Sequence, residues 1–397
     1  MLTPAEADTV IAAAIAPLSS EQVPLAACAG RILRSPLFAE RDAPPFDRVA
    51  MDGIAFHAGP AARRRFRVAG IQAAGSPALS LASDGDCFEV MTGAVLPVGC
   101  DTVVPVEKLR ITGGHAELEA ACIPEPWRHV HRRGADARAG DRLLEPGMRL
   151  GAPELAVAAS AGEALLSVSR APRIAVITTG DELVEPGQPI EGHQVRRSNA
   201  YGIAAALTLA GFSPHANLQL PDHEETLATA LGAALERHDA LVLSGGVSAG
   251  RFDHVPRVLT SLGVRERFHG IAQRPGRPMW FGAGDGGAAV FALPGNPVSV
   301  LVCLARYVVP ALARLVGADS RAIPQVALAR PYVFAKALTC FLPVTLGYDR
   351  DGRALAEPRP TDGSGDFIAL AGTDGFVELP RGPATHPAGL VVPFHRW

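Results

Sequence analysis

Three short apolar runs constrain this chain more than anything else in it: Ile174-Ala175-Val176-Ile177, Ala240-Leu241-Val242-Leu243 and Ala289 to Leu293. Each is too short for an ordinary helix and shows no alternation, and each is broken at its carboxyl end by glycine or polar residues. Strands buried on both faces of a parallel sheet read this way. The breaks are Thr178-Thr179-Gly180-Asp181-Glu182, Ser244-Gly245-Gly246 running on to Ser248 and Gly250, and Pro294-Gly295-Asn296-Pro297. A fourth run, Ala216 to Leu220, ends at Pro221-Asp222-His223. Helical stretches separate the runs at about Ala200 to Gly211, Glu224 to His238 and His254 to Leu262. The alternation over residues 171–320 predicts a parallel, three-layer α/β/α sheet, with Phe268 to Pro278 read as a loop.

Parallel strands bring their carboxyl ends to one rim, where ligands of open α/β sheets collect. That rim would carry Glu182, Asp222, Asp253 and Asn296 beside the loop Ser244-Gly245-Gly246-Val247-Ser248. A glycine-rich loop lets backbone N–H groups approach an anion, and the next helix adds its N-terminus. A bare strand-to-helix turn has the same composition, and any one of the acids can be a cap or an ion-pair partner. Three acids and several glycine loops together predict a phosphorylated ligand held with a divalent cation. The loop Arg274-Pro275-Gly276-Arg277-Pro278 adds two fixed cations suited to a tetrahedral oxyanion.

At 397 residues the chain predicts two to four domains. Residues 1–50 and 139–170 read as one elongated region, with helices at Thr3 to Ala16 and Pro153 to Gly162. Residues 51–138 read as an inserted β-rich domain. It contains Met51-Asp52-Gly53 and Met91-Thr92-Gly93-Ala94, whose Asp52 and Thr92 are turn formers by themselves. Past residue 320 the helical pattern stops, and short β-like runs to Trp397 predict a small C-terminal β-barrel over residues 321–397. The arginine-rich stretch Trp127 to Arg138 is open to two readings, a solvated face or one wall of a phosphate groove.

Charge and cysteines narrow the function classes. A net charge of −3 gives no nucleic-acid footprint and no polybasic membrane surface. The six scattered cysteines form no CxxC pair, which predicts free thiols in a reducing compartment and no zinc site. The N-terminal stretch lacks a basic segment and carries Glu6 and Asp8, so no signal peptide is predicted and a cytoplasmic location is expected. Val298 to Gly317 is apolar and long enough to span a bilayer. Arg306, Arg314 and the interruption at Pro310 point instead to a buried helix. Only Lys108 and Lys336 among the 37 basic residues are lysine, so arginine is the default cation here.

Six motifs in order, MDG at 51–53, MTGA-x-x-P at 91–97, TTGDEL at 178–183, SGGVS-x-G-x-x-D at 244–253, RPGRP at 274–278 and LPGNPVS at 293–299, resemble the molybdopterin molybdenumtransferase family, which includes MoeA and the gephyrin E-domain. The resemblance runs over nearly the whole chain. It implies an L-shaped homodimer of four-domain subunits, with the active groove between the sheet domain of one subunit and the β-rich domain of the other. It implies insertion of molybdate into adenylylated molybdopterin, with Mg²⁺, releasing AMP. By position, Glu182, Asp222 and Asp253 would serve metal binding and catalysis. Ser244, Gly245, Gly246 and Ser248, with Asn296, would hold the pterin nucleotide; Arg274, Arg277 and Ser299 would hold molybdate; Asp52 and Thr92 would reach in from the partner subunit. Other cofactor-biosynthesis proteins and receiving molybdoenzymes would be further partners.

Two departures bear on the oxyanion end. Gly270 stands where the family often carries Lys, and Pro343 where it often carries Arg. They keep two alternatives in view: a pterin-binding paralogue that carries the cofactor or inserts tungstate, and a gephyrin-like scaffold.

Overall fold

The structure, a computed structural model, describes all residues except 60–62, 248–253, 321 and 383. The expected site residues Ser248 and Asp253 therefore lie outside the described residues, as does most of the loop after Gly246.

The apolar runs form the centre of a six-stranded sheet. Its order is Ala216–Leu220, Ile174–Thr179, Ala240–Ser244, Ala289–Leu293, Trp280–Ala283, Arg265–His269. The first four strands are parallel, with Ile174 opposite Ala240 and Ala240 opposite Ala289. Trp280–Ala283 pairs antiparallel with both of its neighbours and so runs against the other strands, which makes the sheet mixed rather than wholly parallel. The stretch read as a loop from Phe268 is in part the edge strand Arg265–His269, whose mostly exposed residues carry no apolar run to betray it. An antiparallel edge on a parallel sheet is a common way for such sheets to end.

Helices Ser198–Leu209 and Pro297–Leu315 cover one face, and Glu224–Arg237 and Val255–Ser261 the other. The three central strands are buried at every residue, which explains their unbroken apolarity. Pro297–Leu315 is long and apolar enough to cross a membrane, yet 67% of its most apolar window is buried inside the protein. Its middle, Leu304–Val308, widens into a π turn immediately before Pro310. Proline has no N–H for the carbonyl four residues back, so the ladder is already broken there.

The N-terminal helix Pro4–Ala14 starts at a capping box, in which Glu6 N–H donates to Thr3 Oγ1 and Thr3 N–H donates to the Glu6 carboxylate. Strand Ser20–Pro24 pairs with Leu165–Ser169, and Leu37–Phe38 with Arg142–Leu144. Between them lies a six-stranded sheet, in the order Thr102–Pro105, Gly53–Phe56, Asp86–Val90, Arg65–Gln72, His115–Leu118, Leu109–Thr112. It has a separate apolar cluster on each face. At the C-terminus, Thr339–Tyr348, Ala354–Pro358, Gln325–Leu328, Val391–Arg396 and Gly375–Leu379 follow one another around a ring. Gly375–Leu379 pairs back onto Thr339–Tyr348 and closes it. Closure removes the free edges of a small sheet.

The basic run at 127–138 is neutralised locally. Arg132 pairs with Asp47, Arg133 with Asp42 and Arg128 with Glu125, while His131 meets Asp136. Of the two readings left open by the sequence, these pairs favour a structural, solvated face.

One ion pair anchors the sheet at its opposite end. Arg170 donates two 2.8 Å bonds to Asp239, which also accepts from Arg173 N–H at 2.7 Å. Burial alone would raise the Asp239 carboxyl, but these bonds outweigh it and hold it far below the usual range. Its folded pKa is depressed, so the stabilisation is present above the unfolded value and is lost as pH falls through the folded one. Asp239→Asn should cost about 2 kcal/mol near neutral pH. In urea titrations, the gap from wild type should narrow on acidification below the ordinary aspartate range.

Candidate active site

The carboxyl ends of the parallel strands open onto one cavity of ≈ 900 Å³. Strand Ile174–Thr179 delivers Glu182, Ala216–Leu220 delivers Asp222, and Ala240–Ser244 delivers Ser244, Gly245 and Gly246. Ala289–Leu293 leads into Asn296 and Ser299 at the start of the long helix, and the loop after Arg265–His269 contributes Arg274 and Arg277. Nine of the expected site residues thus line a common space. Asp52 and Thr92 do not line it. They contact each other in the β-rich sheet region, where Thr92 N–H and Oγ1 both donate to the Asp52 carboxylate at 2.6 Å. Those two bonds lower the Asp52 carboxyl below its usual value.

The loops are held by side chains just before and at the start of helix Ser198–Leu209. Asn199 uses both amide hydrogens, donating to Ser244 Oγ at 2.9 Å and to the Gly295 carbonyl at 2.7 Å. It thereby fixes two rim loops against the start of a third element. Arg197, buried, donates to Thr178 Oγ1 at 2.7 Å, to the Leu218 carbonyl at 2.8 Å, and to Asn217 and Glu185. Bonds from Arg197 and then Tyr201 hold the Glu185 carboxyl below its ordinary value. Arg196 adds bonds to the carbonyls of Glu185 and Gln188, and Gln219 bonds the Leu183 carbonyl. The segment carrying Glu182 is therefore pinned on both sides. The polar contacts of Arg197 and Asn199 lie far along the chain, so no local pattern reveals them.

The far wall comes from the C-terminal region: Lys336, Leu338, Ser364, Gly365 and Phe367. Ser364 accepts from Asn296 Nδ2 at 2.9 Å, and its carbonyl accepts from Val298 N–H at 3.1 Å. Lys336 also lines an adjoining cavity of ≈ 270 Å³ together with Arg274 and Pro343. A signal for Lys336 was present in the sequence: it is one of only two lysines.

Gly245 is where the loop after Ala240–Ser244 most needs glycine. Its φ is +103°, and a Cβ there would lie 2.5 Å from the Thr179 carbonyl oxygen. Beneath the same loop Thr179 Oγ1 is buried and has no partner among the described residues. The donor set of the cavity is carboxylate, hydroxyl and amide oxygen, which suits a hard divalent cation. Among the described residues no group of three His, Cys, Asp or Glu could hold a metal by itself. Of the three acids expected to hold a cation, Glu182 and Asp222 line the cavity and Asp253 lies outside the described residues.

Comparison with known proteins decides the family. The MoeA N-terminal region (domain I and II) matches residues 2–162, the "Probable molybdopterin binding domain" residues 175–314, and the MoeA C-terminal region (domain IV) residues 325–397. A molybdopterin molybdenumtransferase from Synechocystis sp. is 42% identical over 93% of both chains. The chain belongs to the molybdopterin molybdenumtransferase family. A second relative of the same name, from Haemophilus influenzae, is 33% identical over 76% of this chain and 74% of its own. Two crystal structures of the molybdopterin biosynthesis MoeA protein from Pyrococcus horikoshii cover the whole chain, with TM-scores of 0.81 and 0.83 at 30% and 25% identity. The fold expected from the resemblance, with its sheet domain, β-rich region and closed barrel, is the fold of the family.

The loop geometry predicts a stability effect. Gly245→Ala should lose about 2 kcal/mol or more, since it combines positive φ with a backbone clash. Gly286→Ala, where a Cβ meets nothing, should stay within about 0.5 kcal/mol. Urea unfolding of the two variants checks the contrast.

Proposed function

We propose that this transferase of molybdenum cofactor biosynthesis inserts molybdate into adenylylated molybdopterin, with Mg²⁺, and releases AMP. The observation that carries the reading is the shared cavity. Acids, an anion loop, two loop arginines and a helix start, all from distant parts of the chain, line one space large enough for a nucleotide-linked pterin.

The chain's own groups divide the work by chemistry. Gly245 and Gly246 let the backbone come close to a phosphate, and Ser244, oriented by Asn199, offers a hydroxyl beside it. Asn296 and Ser299 sit at the N-terminus of the long helix, whose dipole favours an anion there. Arg274 and Arg277 present planar, permanently charged forks to a tetrahedral oxyanion, and Lys336, which lines both cavities with Arg274, adds a third cation. Glu182 and Asp222 would hold Mg²⁺, with Asp253 as the third acid of the set. When bound, Mg²⁺ neutralises phosphate charge. The residues then do what positioning can do: they hold oxyanion and pterin together in one cavity.

Asp52 and Thr92 line no part of their own chain's cavity. That supports a homodimer in which they reach the partner's groove. The strand pairs that bracket residues 39–141 support a division into 1–50 with 139–170, 51–138, 171–320 and 321–397. A cytoplasmic location fits six buried free thiols.

Purified protein given adenylylated molybdopterin, Mg²⁺ and molybdate should release AMP only when molybdate is present. Binding of the pterin nucleotide without release would point to a carrier. Arg277→Ala should raise the molybdate concentration for half-maximal release by about 10-fold to 100-fold, the span of a lost hydrogen bond to a charged group. Glu182→Gln should slow release by about 10²-fold, the scale seen on removing one preorganised electrostatic group. Both are read from AMP formation over time.

A further inference from the structure

The loop Arg274–Pro278 leaves the strand pair of the sheet edge, yet its closest buried support comes from elsewhere. Gln273, fully buried, points its amide into the loop. It donates from Nε2 to the Pro275 carbonyl at 3.1 Å and to Cys303 Sγ at 3.6 Å. Its Oε1 accepts from the Tyr307 hydroxyl. Cys303 in turn faces the Gly276 carbonyl at 3.7 Å, and a side chain at Gly276 would collide with Cys303 Sγ. Burial pushes the Tyr307 phenol up, so it stays protonated and can only serve that bond as donor. Every polar atom in this contact is used, and none reaches solvent.

Tyr307 stands on the π turn, and that turn is itself anchored. Its neighbour Arg306 donates to Asp8 of the first helix at 2.8 and 2.9 Å, and to Glu378 of the barrel at 2.8 Å. His395 meets the same Glu378 carboxylate at 3.3 Å. The loop is stitched at its start as well. Gln273 and Arg274 pair with Thr339 and Cys340 of the barrel, and Ala272 N–H donates to the Leu2 carbonyl at 2.7 Å. Arg274 and Arg277 are both exposed to the cavity, but the backbone that aims them is fixed from behind.

We propose that Gln273 and Tyr307 are positioning residues for the oxyanion: their buried bond sets where the Arg274 and Arg277 guanidinium groups stand, without touching the ligand. It rests on the reading of those arginines as the oxyanion-holding pair. A regular α-helical ladder would place the residue at 307 differently on the helix surface, so the π turn is what presents the hydroxyl to Gln273. Removing the hydroxyl leaves Gln273 Oε1 buried without a donor. The amide is then free to turn, and the loop that carries Arg274 and Arg277 loses that constraint.

The test compares Tyr307→Phe, Gln273→Met, the double variant and Arg277→Ala in the full-length protein. Molybdate and AMP are titrated separately by calorimetry, KM and kcat are read from AMP release, and thermal midpoints are recorded. Tyr307→Phe should raise the molybdate Kd and KM by about 5-fold to 10-fold while kcat changes by less than about 2-fold and AMP affinity stays put. Gln273→Met, which also removes the bond to the Pro275 carbonyl, should raise both at least as much, and the double variant should match Gln273→Met, since Tyr307 acts through Gln273. If Arg277→Ala weakens molybdate but Tyr307→Phe does not, or if the two single effects add, the positioning role is wrong and the oxyanion reading stands. If Tyr307→Phe weakens AMP and molybdate alike along with the midpoint, the bond is only a packing contact and the inference also falls. If Arg277→Ala leaves molybdate untouched, the oxyanion reading fails first.

Discussion

Parallel pairing is the constraint on which the rest of this structure depends. Four strands, three of them buried at every residue, run the same way, so four chain segments must leave the sheet at the same edge. The backbone groups there have no further ladder partners. Short polar and glycine-containing loops satisfy that need and, as a by-product, collect chemistry. Glu182, Asp222, Ser244 and Asn296 are separated by tens of residues and still share one cavity. The sheet needs no ligand to produce this convergence; it needs only its own topology.

The sheet and its loops supply most of the cavity. The C-terminal region supplies the rest, and polar bonds join the two. Asn296 and Val298 both bond Ser364 at the far wall. Arg306, between Asp8 and Glu378, ties the first helix, the long helix and the barrel at a single guanidinium. Burial works against both charges. The bonds from His395 and Arg306 outweigh it at Glu378 and hold that carboxyl below its ordinary value. A buried pair of this kind contributes little net stability but strongly penalises losing one partner, so it fixes an arrangement more than it strengthens one.

Much of this was legible in the sequence, for stated reasons. Unbroken apolar runs such as Ile174-Ala175-Val176-Ile177 leave no alternative to a buried strand, and the breaks after them marked the rim. What stayed hidden depends on contacts between distant residues. Strand Arg265–His269 is an exposed edge with no hydrophobic signature, and the reversal at Trp280–Ala283 depends on which strands pair, which no local window shows. Arg197, Asn199 and Gln273 look like surface or cap residues in any local window, yet they fix the rim loops from beneath. The basic run at 127–138 looked able to hold phosphate because its acidic partners, Asp42 and Asp47, lie some ninety residues earlier. The apparent losses at Gly270 and Pro343 read differently once Lys336 is seen beside Arg274.

On the proposed reading, one rim holds an oxyanion at the arginine loop and a nucleotide phosphate at the glycine loop. Diffraction from crystals grown with AMP and soaked in tungstate, a heavy stand-in for molybdate, tests it most directly. The account predicts an anomalous peak in hydrogen-bond reach of Arg274 or Arg277 and of Ser299, with the AMP phosphate against Ser244 to Gly246. A peak elsewhere on the molecule, with that wall bare, would contradict it.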